Sequence, residues 1–432
     1  MDFLLNATDL ELAALTRSIL AGGRRSGAAA AGPAGAGGLA GAGGLAGAGG
    51  PAGPAGLDEG RWAGLAKAGV LSAGLPESLD GADAGLLAQC AVLTEIGRAL
   101  APVPYLESIV LGAGAVARFG SPEQQRRWAG PAGRGELLLT TALAEPDGDD
   151  PAHPTTTASP AIHPPATAPS AHPQTTAPPA HPQTTAPPAH PQTTAVPATG
   201  DWVLSGVKTL VGAAPEADWL LVPAATPDGS AVFLVGAGAP GVTVQRQQAT
   251  GGLSTGGLST GQLVLADVAV PAEQVLGSGL DRQQAVAWLA AHGTVGLCAL
   301  QLGVLERALE MTAEYTQSRV QFGRPIGTFQ AVRQRLADAY TDVEAVRLTM
   351  WQAAWRLAEG LPASTAIATA KFWAADAGHR VAHTAVHLHG GVGIDVSYPL
   401  HRYFTAAKRG EFALGGATTQ LRHIGAALAQ SV

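Results

Sequence analysis

Three side chains that can do chemistry together fall in one short stretch, Tyr315–Gln330, which reads YTQSRVQFGRPIGTFQ. A helical pattern rich in Leu, Ala and Glu runs into Arg319. It breaks over Phe322-Gly323-Arg324-Pro325-Ile326-Gly327 and resumes at Thr328-Phe329-Gln330, continuing to about Glu359. Pro325 cannot donate to a helical ladder, and Gly323 and Gly327 tolerate unusual dihedrals, so the break predicts a turn between helices. The turn presents an Arg, a Phe and a Gln at one corner. Arg319 can fork onto a phosphate, Phe322 can stack on a flat ring and Gln330 can hydrogen-bond. That chemistry suits an anionic group beside an aromatic one, although the same residues also make an ordinary interhelical corner. Further on, His379, His383 and His387 share a helical face at i, i+4 and i+8, a spacing open to a transition metal. No acid or cysteine completes that set, so they read as core or interface histidines and no metal is assigned.

The elements that must hold these residues follow from periodicity. Met1–Gly22 contains a short amphipathic helix, Leu10–Leu20, and residues 23–56 form a Gly/Ala-rich low-complexity linker in which GAGGLA recurs. Helical patterns follow at Arg61–Ala73, Ala84–Leu100, Glu107–Phe119 and Pro122–Ala129, the last behind a Ser121 cap. They make residues 1–138 a helical N-terminal domain. Residues 139–272 read as a middle β-domain, with strands at Leu137–Ala144, Trp202–Val207, Trp219–Pro223, Ala231–Val235, Val242–Gln245 and Leu263–Val270. A Pro-, Thr-, Ala- and His-rich insertion, 151–199, interrupts it. Its nonamer AHPQTTAPP recurs, five of the twelve histidines lie in it, and its prolines deny helix and strand their donors. It reads as a solvated excursion, and the duplicated Gly-Gly-Leu-Ser-Thr over 251–260 as a loop. Residues 273–432 are helical throughout: Ala285–Gln317, Thr328–Glu359, Pro362–Leu388 and Pro399–Ala429, the last broken by Gly410, Gly415 and Gly416. They predict a C-terminal four-helix bundle.

Composition narrows the function classes. The 432 residues carry a net charge of −7 and only 14% are charged, which offers no electrostatic footprint for nucleic acid. Cys90 and Cys298 lie in apolar helical surroundings and read as reduced core thiols. No basic segment followed by an apolar run opens the chain, and no uninterrupted apolar stretch is long enough to span a bilayer. The expectation is a cytoplasmic protein without membrane insertion.

The series R-x-x-F-G-x-x-I-x-x-F-Q from Arg319 to Gln330, the Ala-rich helix after it and His389-Gly390-Gly391-Val392-Gly393 together resemble the acyl-CoA dehydrogenase family. The likeness covers about 57–138 and 200–432. It implies a mainly α fold with a middle β-domain: a helical N-terminal domain, a β-barrel middle domain and a C-terminal four-helix bundle. It also implies FAD as cofactor and α,β-desaturation of an acyl-CoA thioester. In that reaction a Glu removes the α-proton and the β-hydrogen leaves as hydride to the flavin. The three places where family members carry that Glu are held here by Gly415, Gly293 (with Thr294 beside it) and Leu300. Glu411 is the nearest remaining carboxylate, one helical turn earlier and expected to point elsewhere. The flavin-ring contacts are altered too. The Thr-Glu-Pro loop reads Ala144-Glu145-Pro146 and the Trp-Ile-Thr strand reads Leu210-Val211-Gly212.

What the resemblance leaves in place is the arm that family members extend into a neighbouring subunit's cofactor. It implies cofactor contacts from Arg319, Phe322 and Gln330, from His387 (where a Gln is common), Gly390 and Gly391, and from Thr418 and Gln420. The pattern resembles the base-lacking subunit of actinobacterial heterotetramers that act on bulky acyl-CoA thioesters, steroid side chains included. It implies a second acyl-CoA dehydrogenase subunit as partner. The alternatives are a self-sufficient homomeric dehydrogenase with an atypical base such as Glu411, and a non-catalytic acyl-CoA-binding relative.

Overall fold

The apolar periodicity of the first part of the chain folds as helices: α1 (Ala7–Gly22), α2 (Glu59–Lys67), α3 (Leu86–Ala99) and a π-helical segment, Tyr105–Ala113, running into α4 (Gly114–Phe119). A capping box between Ser121 and Gln124 then starts α5 (Pro122–Gln124), which continues through Gln125–Ala129 into α6 (Gly130–Gly133). The helix expected over Arg61–Ala73 stops at Lys67, because Gly69 takes φ +74° and turns the chain. This computed structural model describes residues 6–22, 56–146, 148, 150–161, 201–247 and 258–430. The linker read over 23–56 (Gly56 apart), the AHPQTTAPP repeats and most of the duplicated Gly-Gly-Leu-Ser-Thr loop lie outside the described residues.

The middle of the chain forms a seven-stranded sheet of β1 (Leu139–Thr141), β2 (Thr157–Pro160), β3 (Trp202–Gly212), β4 (Trp219–Thr226), β5 (Gly229–Gly236), β6 (Val242–Gln247) and β7 (Thr260–Val270). The order is β1-β4-β2-β3-β7-β6, with β5 paired to β4. Strand β2 corrects the reading of 151–199 as strandless. Thr155–Ser159 is a proline-free run inside the Pro-rich tract, and Thr157–Pro160 pairs antiparallel with Trp202–Ser205. The root of that strand is held by Glu145. Its carboxylate accepts from the amide and hydroxyl of Thr155 (2.6 and 2.6 Å) and of Thr156 (2.9 and 2.7 Å), and from Lys208 Nζ (2.7 Å).

Burial alone would raise the Glu145 carboxyl, but these bonds, Lys208's foremost, outweigh it and hold the group at about 2. Lys208, fully buried, is drawn down by desolvation against the pull of Glu145. The carboxylate's five donors settle the pair in its ionised form. Glu145→Gln leaves Lys208 buried without its counterion and is expected to cost about 3 kcal/mol. The folded pKa lies below the ordinary 4.5. The stabilisation is therefore full above that value and lost as pH falls toward 2. Urea midpoints of the two proteins should lie far apart at neutral pH and converge in acid; a constant gap would refute the assignment.

The C-terminal part contains α7 (Asp281–Ser318), a two-residue hairpin of β8 (Val320–Gln321) and β9 (Arg324–Pro325), then α8 (Gln330–Ala358), α9 (Ser364–His389), α10 (Leu400–Phe412) and α11 (Ala417–Ala429). The fourth bundle partner is thus two helices. Its break lies at Leu414 (φ +52°) and Gly415 (φ +90°). Gly410 stays helical: a Cβ there would lie 2.2 Å from Gln301 Oε1, so this glycine serves packing between α10 and α7. Helices α3 and α7 approach as closely. A Cβ on Gly97 would meet the Leu300 carbonyl at 2.1 Å, and one on Gly303 the Thr94 carbonyl at 1.9 Å. One core, including Leu65, Val92, Leu302 and Val346, therefore runs from the N-terminal helices through the bundle, and a second, around Leu204 and Phe233, fills the sheet. Although no uninterrupted apolar run was expected, α7 has an 18-residue window apolar enough to cross a membrane. That window is 67% buried inside the protein, as befits a core helix.

Candidate functional site: an exposed arm and its brace

The corner from Arg319 to Gln330 is a hairpin rather than a bare interhelical turn. Helix α7 ends as Arg319 turns extended (φ −74°, ψ 116°), and the Ile326 amide returns to the Arg319 carbonyl at 2.8 Å. Both turn residues have positive φ, +52° at Phe322 and +77° at Gly323, the geometry of a tight two-residue hairpin. Gly327 has an ordinary φ and is needed for close approach instead: a Cβ would lie 3.0 Å from the Thr316 carbonyl. Arg324 lies over the Phe329 ring at 4.4 Å, and Phe322 meets that ring edge-on at 6.2 Å. The arm is rigid at its base and bare at its tip. Phe322 is 93% exposed, Arg319 and Gln330 are exposed, and the Arg319 guanidinium has no ion pair among the described residues.

A brace that sequence reading missed ties the root of this arm to the glycine turn after α9. Tyr315 stacks on His389 at 4.3 Å and donates its hydroxyl to the His389 carbonyl at 3.4 Å. His389 is buried, and desolvation lowers its pKa, which keeps it neutral. Nδ1–H then donates to the Ala385 carbonyl (2.8 Å) and Nε2 accepts from the Tyr398 hydroxyl (3.3 Å). Gly390 follows at φ +62°, and a Cβ on Gly390 or Gly391 would meet nothing within 4 Å, so backbone there faces open space. Helical periodicity marks Tyr315 and Tyr398 only as aromatic neighbours; nothing in the spacing announces the brace.

The other expected contacts separate. His387 is exposed and lines a groove of about 760 Å³ between α8 and α9, with Arg335, Asp342, His379, Arg380 and His383. Thr418 is exposed at the start of α11. Gln420 is 4% exposed, and its amide donates to the carbonyls of Leu414 (3.2 Å) and Gly415 (3.4 Å). It braces the α10–α11 corner. The Glu411 carboxylate is shared by Lys408 and His379, the latter at 3.3 Å. His379 also meets Lys408 Nζ at 2.9 Å and tilts against His383 at 4.4 Å.

Side chains of this chain lie close to the positions at which the resemblance places a base and ring contacts. A Cβ on Gly293 would lie 2.8 Å from Leu143 Cδ1 and 3.6 Å from Leu111 and Leu414 Cδ1. Leu300 packs against the core, and Gly415 sits in the left-handed region beside Gln420 and Thr419. Leu210, with φ +52°, is 55% exposed, and its amide donates to Gln247 Oε1 at 2.7 Å. Glu107, on the π-helical segment, presses Oε1 to 2.5 Å from where a Gly212 Cβ would be. The dense surroundings push the Glu107 carboxyl up, and it shares an electrostatic attraction with Arg409 of α10. Neither residue stood out in the sequence. For an FAD, the bare arm presents an exposed guanidinium suited to a diphosphate and an exposed aromatic ring suited to an adenine.

Three family profiles match the chain: acyl-CoA dehydrogenase N-terminal domain over residues 54–136, middle domain over 180–268 and C-terminal domain over 283–429. The chain is 48% identical over 382 residues to acyl-CoA dehydrogenase FadE27 of Mycobacterium tuberculosis, covering 87% of this chain and 89% of that one. To human short-chain specific acyl-CoA dehydrogenase, mitochondrial, it is 29% identical over 362 residues (82% and 78%). Among solved structures it resembles a chain of the ChsE4-ChsE5 complex from Mycobacterium tuberculosis, with 42% identity, a TM-score of 0.78 and 100% and 99% coverage. It also resembles a chain of a Tcur3481-Tcur3483 steroid ACAD variant, with 34% identity, a TM-score of 0.76 and 98% coverage of each. The bare arm, the braced glycine turn and these matches over nearly the whole chain place the protein in the acyl-CoA dehydrogenase family.

Proposed function

We propose that this chain is the base-lacking subunit of a heteromeric, FAD-dependent acyl-CoA dehydrogenase. The observation that carries the reading is an asymmetry. Arg319, Phe322 and Gln330, suited to a neighbour's cofactor, are exposed, whereas the positions where the resemblance places a base hold Gly293, Leu300 and Gly415 beside this chain's own side chains. The two solved relatives that are complexes of two differently named chains support it. So does the absence from the cleft of any carboxylate at a family base position.

In this arrangement Arg319 forks onto the diphosphate of the partner's FAD, Phe322 stacks on its adenine and Gln330 fixes the adenosine by hydrogen bonds. Gly390 and Gly391 let backbone approach the same moiety, and the Tyr315–His389–Tyr398 brace fixes the distance between the two sets. When bound, the flavin supplies hydride acceptance; the partner supplies the Glu. The substrate class is an acyl-CoA thioester, with a bulky acyl group of the steroid side-chain kind as the specific expectation.

Purifying the chain alone and with a co-expressed dehydrogenase homologue that carries the Glu tests this. The isolated chain should be colourless. The mixed complex should be yellow and bleach with an acyl-CoA. A yellow isolated chain that desaturates a thioester unaided overturns the reading, and a colourless protein in every pairing favours a non-catalytic relative.

A further inference from the structure

His389 ends α9 and is the only buried histidine among the described residues, 3% exposed. The turn Gly390–Ile394 folds back over it: a Cβ on Gly393 would lie 2.8 Å from the Val386 carbonyl oxygen and 3.1 Å from His389 Cβ. Tyr315 stacks on the ring, and the Tyr315 carbonyl accepts the Arg319 amide at 2.8 Å, so the imidazole bears on the root of the arm. Both ring nitrogens are committed, and only one charge state suits them. Nδ1–H donates to the Ala385 carbonyl, which leaves the Nε2 lone pair for the Tyr398 hydroxyl. We infer that His389 is a positioning residue that works by charge: neutral, it holds the arm and the glycine turn together, and protonated, it parts them and loosens the partner's FAD. The ligand here rests on the base-lacking reading; the joint itself does not.

A proton on Nε2 turns an acceptor into a donor aimed at the hydroxyl that now donates to it, and it places a charge where little water reaches. Stacking on a phenol ring returns only part of that loss. The charged groups on the surrounding elements give no relief. On α7, Glu314 is paired with Arg307 (3.1 Å). In the loop after the turn, Asp395 is taken by the Ser397 amide and hydroxyl (both 2.8 Å), and on α10 His401 Nδ1 donates to the Tyr398 carbonyl (2.6 Å). The Tyr398 phenol is pushed up by burial and stays neutral. Arg333 and Arg335 of α8, the latter in one groove with His387 of α9, share the sign of the new charge. Desolvation is the largest influence on His389 and holds its pKa below the ordinary 6.5. The folded value being the lower one, the joint is whole above about 6.5 and is lost as pH falls below it.

Hydrogen exchange of the isolated chain tests the joint without any cofactor. Corrected for intrinsic rates, the amides of 319–330 and 390–398 should open more at about pH 5.5 than at about pH 7.5, while those in the middle of α7 stay unchanged. The rise should be roughly fivefold, the factor that one neutral hydrogen bond is worth. His389→Phe keeps a ring against Tyr315 but cannot titrate, and should abolish the pH dependence. Tyr398→Phe removes the same bond and should bring the segments at the higher pH to the wild-type level at the lower. A flat wild-type profile overturns the inference, as does a folded His389→Phe protein with the wild-type profile. If His389→Phe does not fold, the wild-type profile and Tyr398→Phe still decide. In the mixed complex, fluorescence titration with FAD over the same pH change should show roughly fivefold weaker binding. Protonation of the exposed His387 would act the opposite way, so tighter binding in acid overturns the link to the cofactor. A proton-dependent joint in a chain that binds no FAD in any pairing would count against the functional reading alone.

Discussion

Arg319→Ala in the mixed complex is expected to raise the dissociation constant for FAD about ten- to a hundredfold while leaving the fold unchanged. A charge-assisted hydrogen bond to phosphate contributes roughly 1.5–3 kcal/mol, and each 1.4 kcal/mol is a factor of about ten. Arg319 is exposed and makes no ion pair among the described residues, so its removal leaves no buried group stranded. Substitutions at such surface sites shift stability by about 0.5 kcal/mol or less. Arg319→Lys should recover part of the loss, since a point charge keeps attraction but not the two-pronged geometry. Phe322→Ala should cost a further 1–3 kcal/mol of the kind measured for bases stacked on aromatics. Fluorescence titration of the deflavinated complex reads all three. Unchanged affinity in Arg319→Ala, with assembly intact, would mean that the arm serves only to dock the chains.

The arm was legible in sequence because it is punctuated. Glycine and proline interrupt a long helical pattern, and the polar and aromatic residues at the interruption have no core to serve. Its hairpin was not legible, since Phe322 takes a left-handed φ that residue types other than Gly, Asn and Asp seldom adopt. The strands of the sheet announced themselves by β-branched runs, but β2 was masked by the prolines around it. The cleft was opaque for a different reason. Glu107 and Arg409 are far apart along the chain, each on a helix whose pattern explains it as an ordinary polar position. Their attraction depends on the tertiary fold, which no local spacing announces. Gln301 and Lys371 are similar cases. The Gln301 amide donates to the carbonyls of Ala374 (3.3 Å) and Ala407 (3.1 Å), and Lys371 Nζ donates to those of Gly410 (3.0 Å) and Glu411 (3.2 Å). These buried polar groups lock α7, α9 and α10 to one another, and they explain why Gly378 and Gly410 are glycines where periodicity suggested helix breaks or nothing at all.

The second large effect is a failure to gain activity. Restoring an acid at any family base position, as Gly293→Glu, Gly415→Glu or Leu300→Glu, is expected to leave the isolated chain without thioester desaturation. At Gly293 the new carboxylate would stand among Leu143, Leu111 and Leu414. Desolvation there favours the protonated form, so a group needed as a base would stay neutral. Its Cβ also enters at 2.8 Å from Leu143, and the combined misfit should destabilise the fold by about 3 kcal/mol. At Gly415 the cost is backbone strain, since φ is +90° and a non-glycine residue in such a region loses about 1–3 kcal/mol. Leu300→Glu replaces an apolar contact with the core by a charge at the α3–α7 packing seam. Absorbance bleaching of each variant with an acyl-CoA, alongside thermal unfolding, checks both halves of the prediction. If the chain lacked only an acid, one of these three substitutions would supply it. If the cleft itself is filled, none can, because an acid at the right residue still has no ring and no thioester to face. Acyl-CoA-dependent bleaching by any one of them would therefore show that the site is dormant rather than closed.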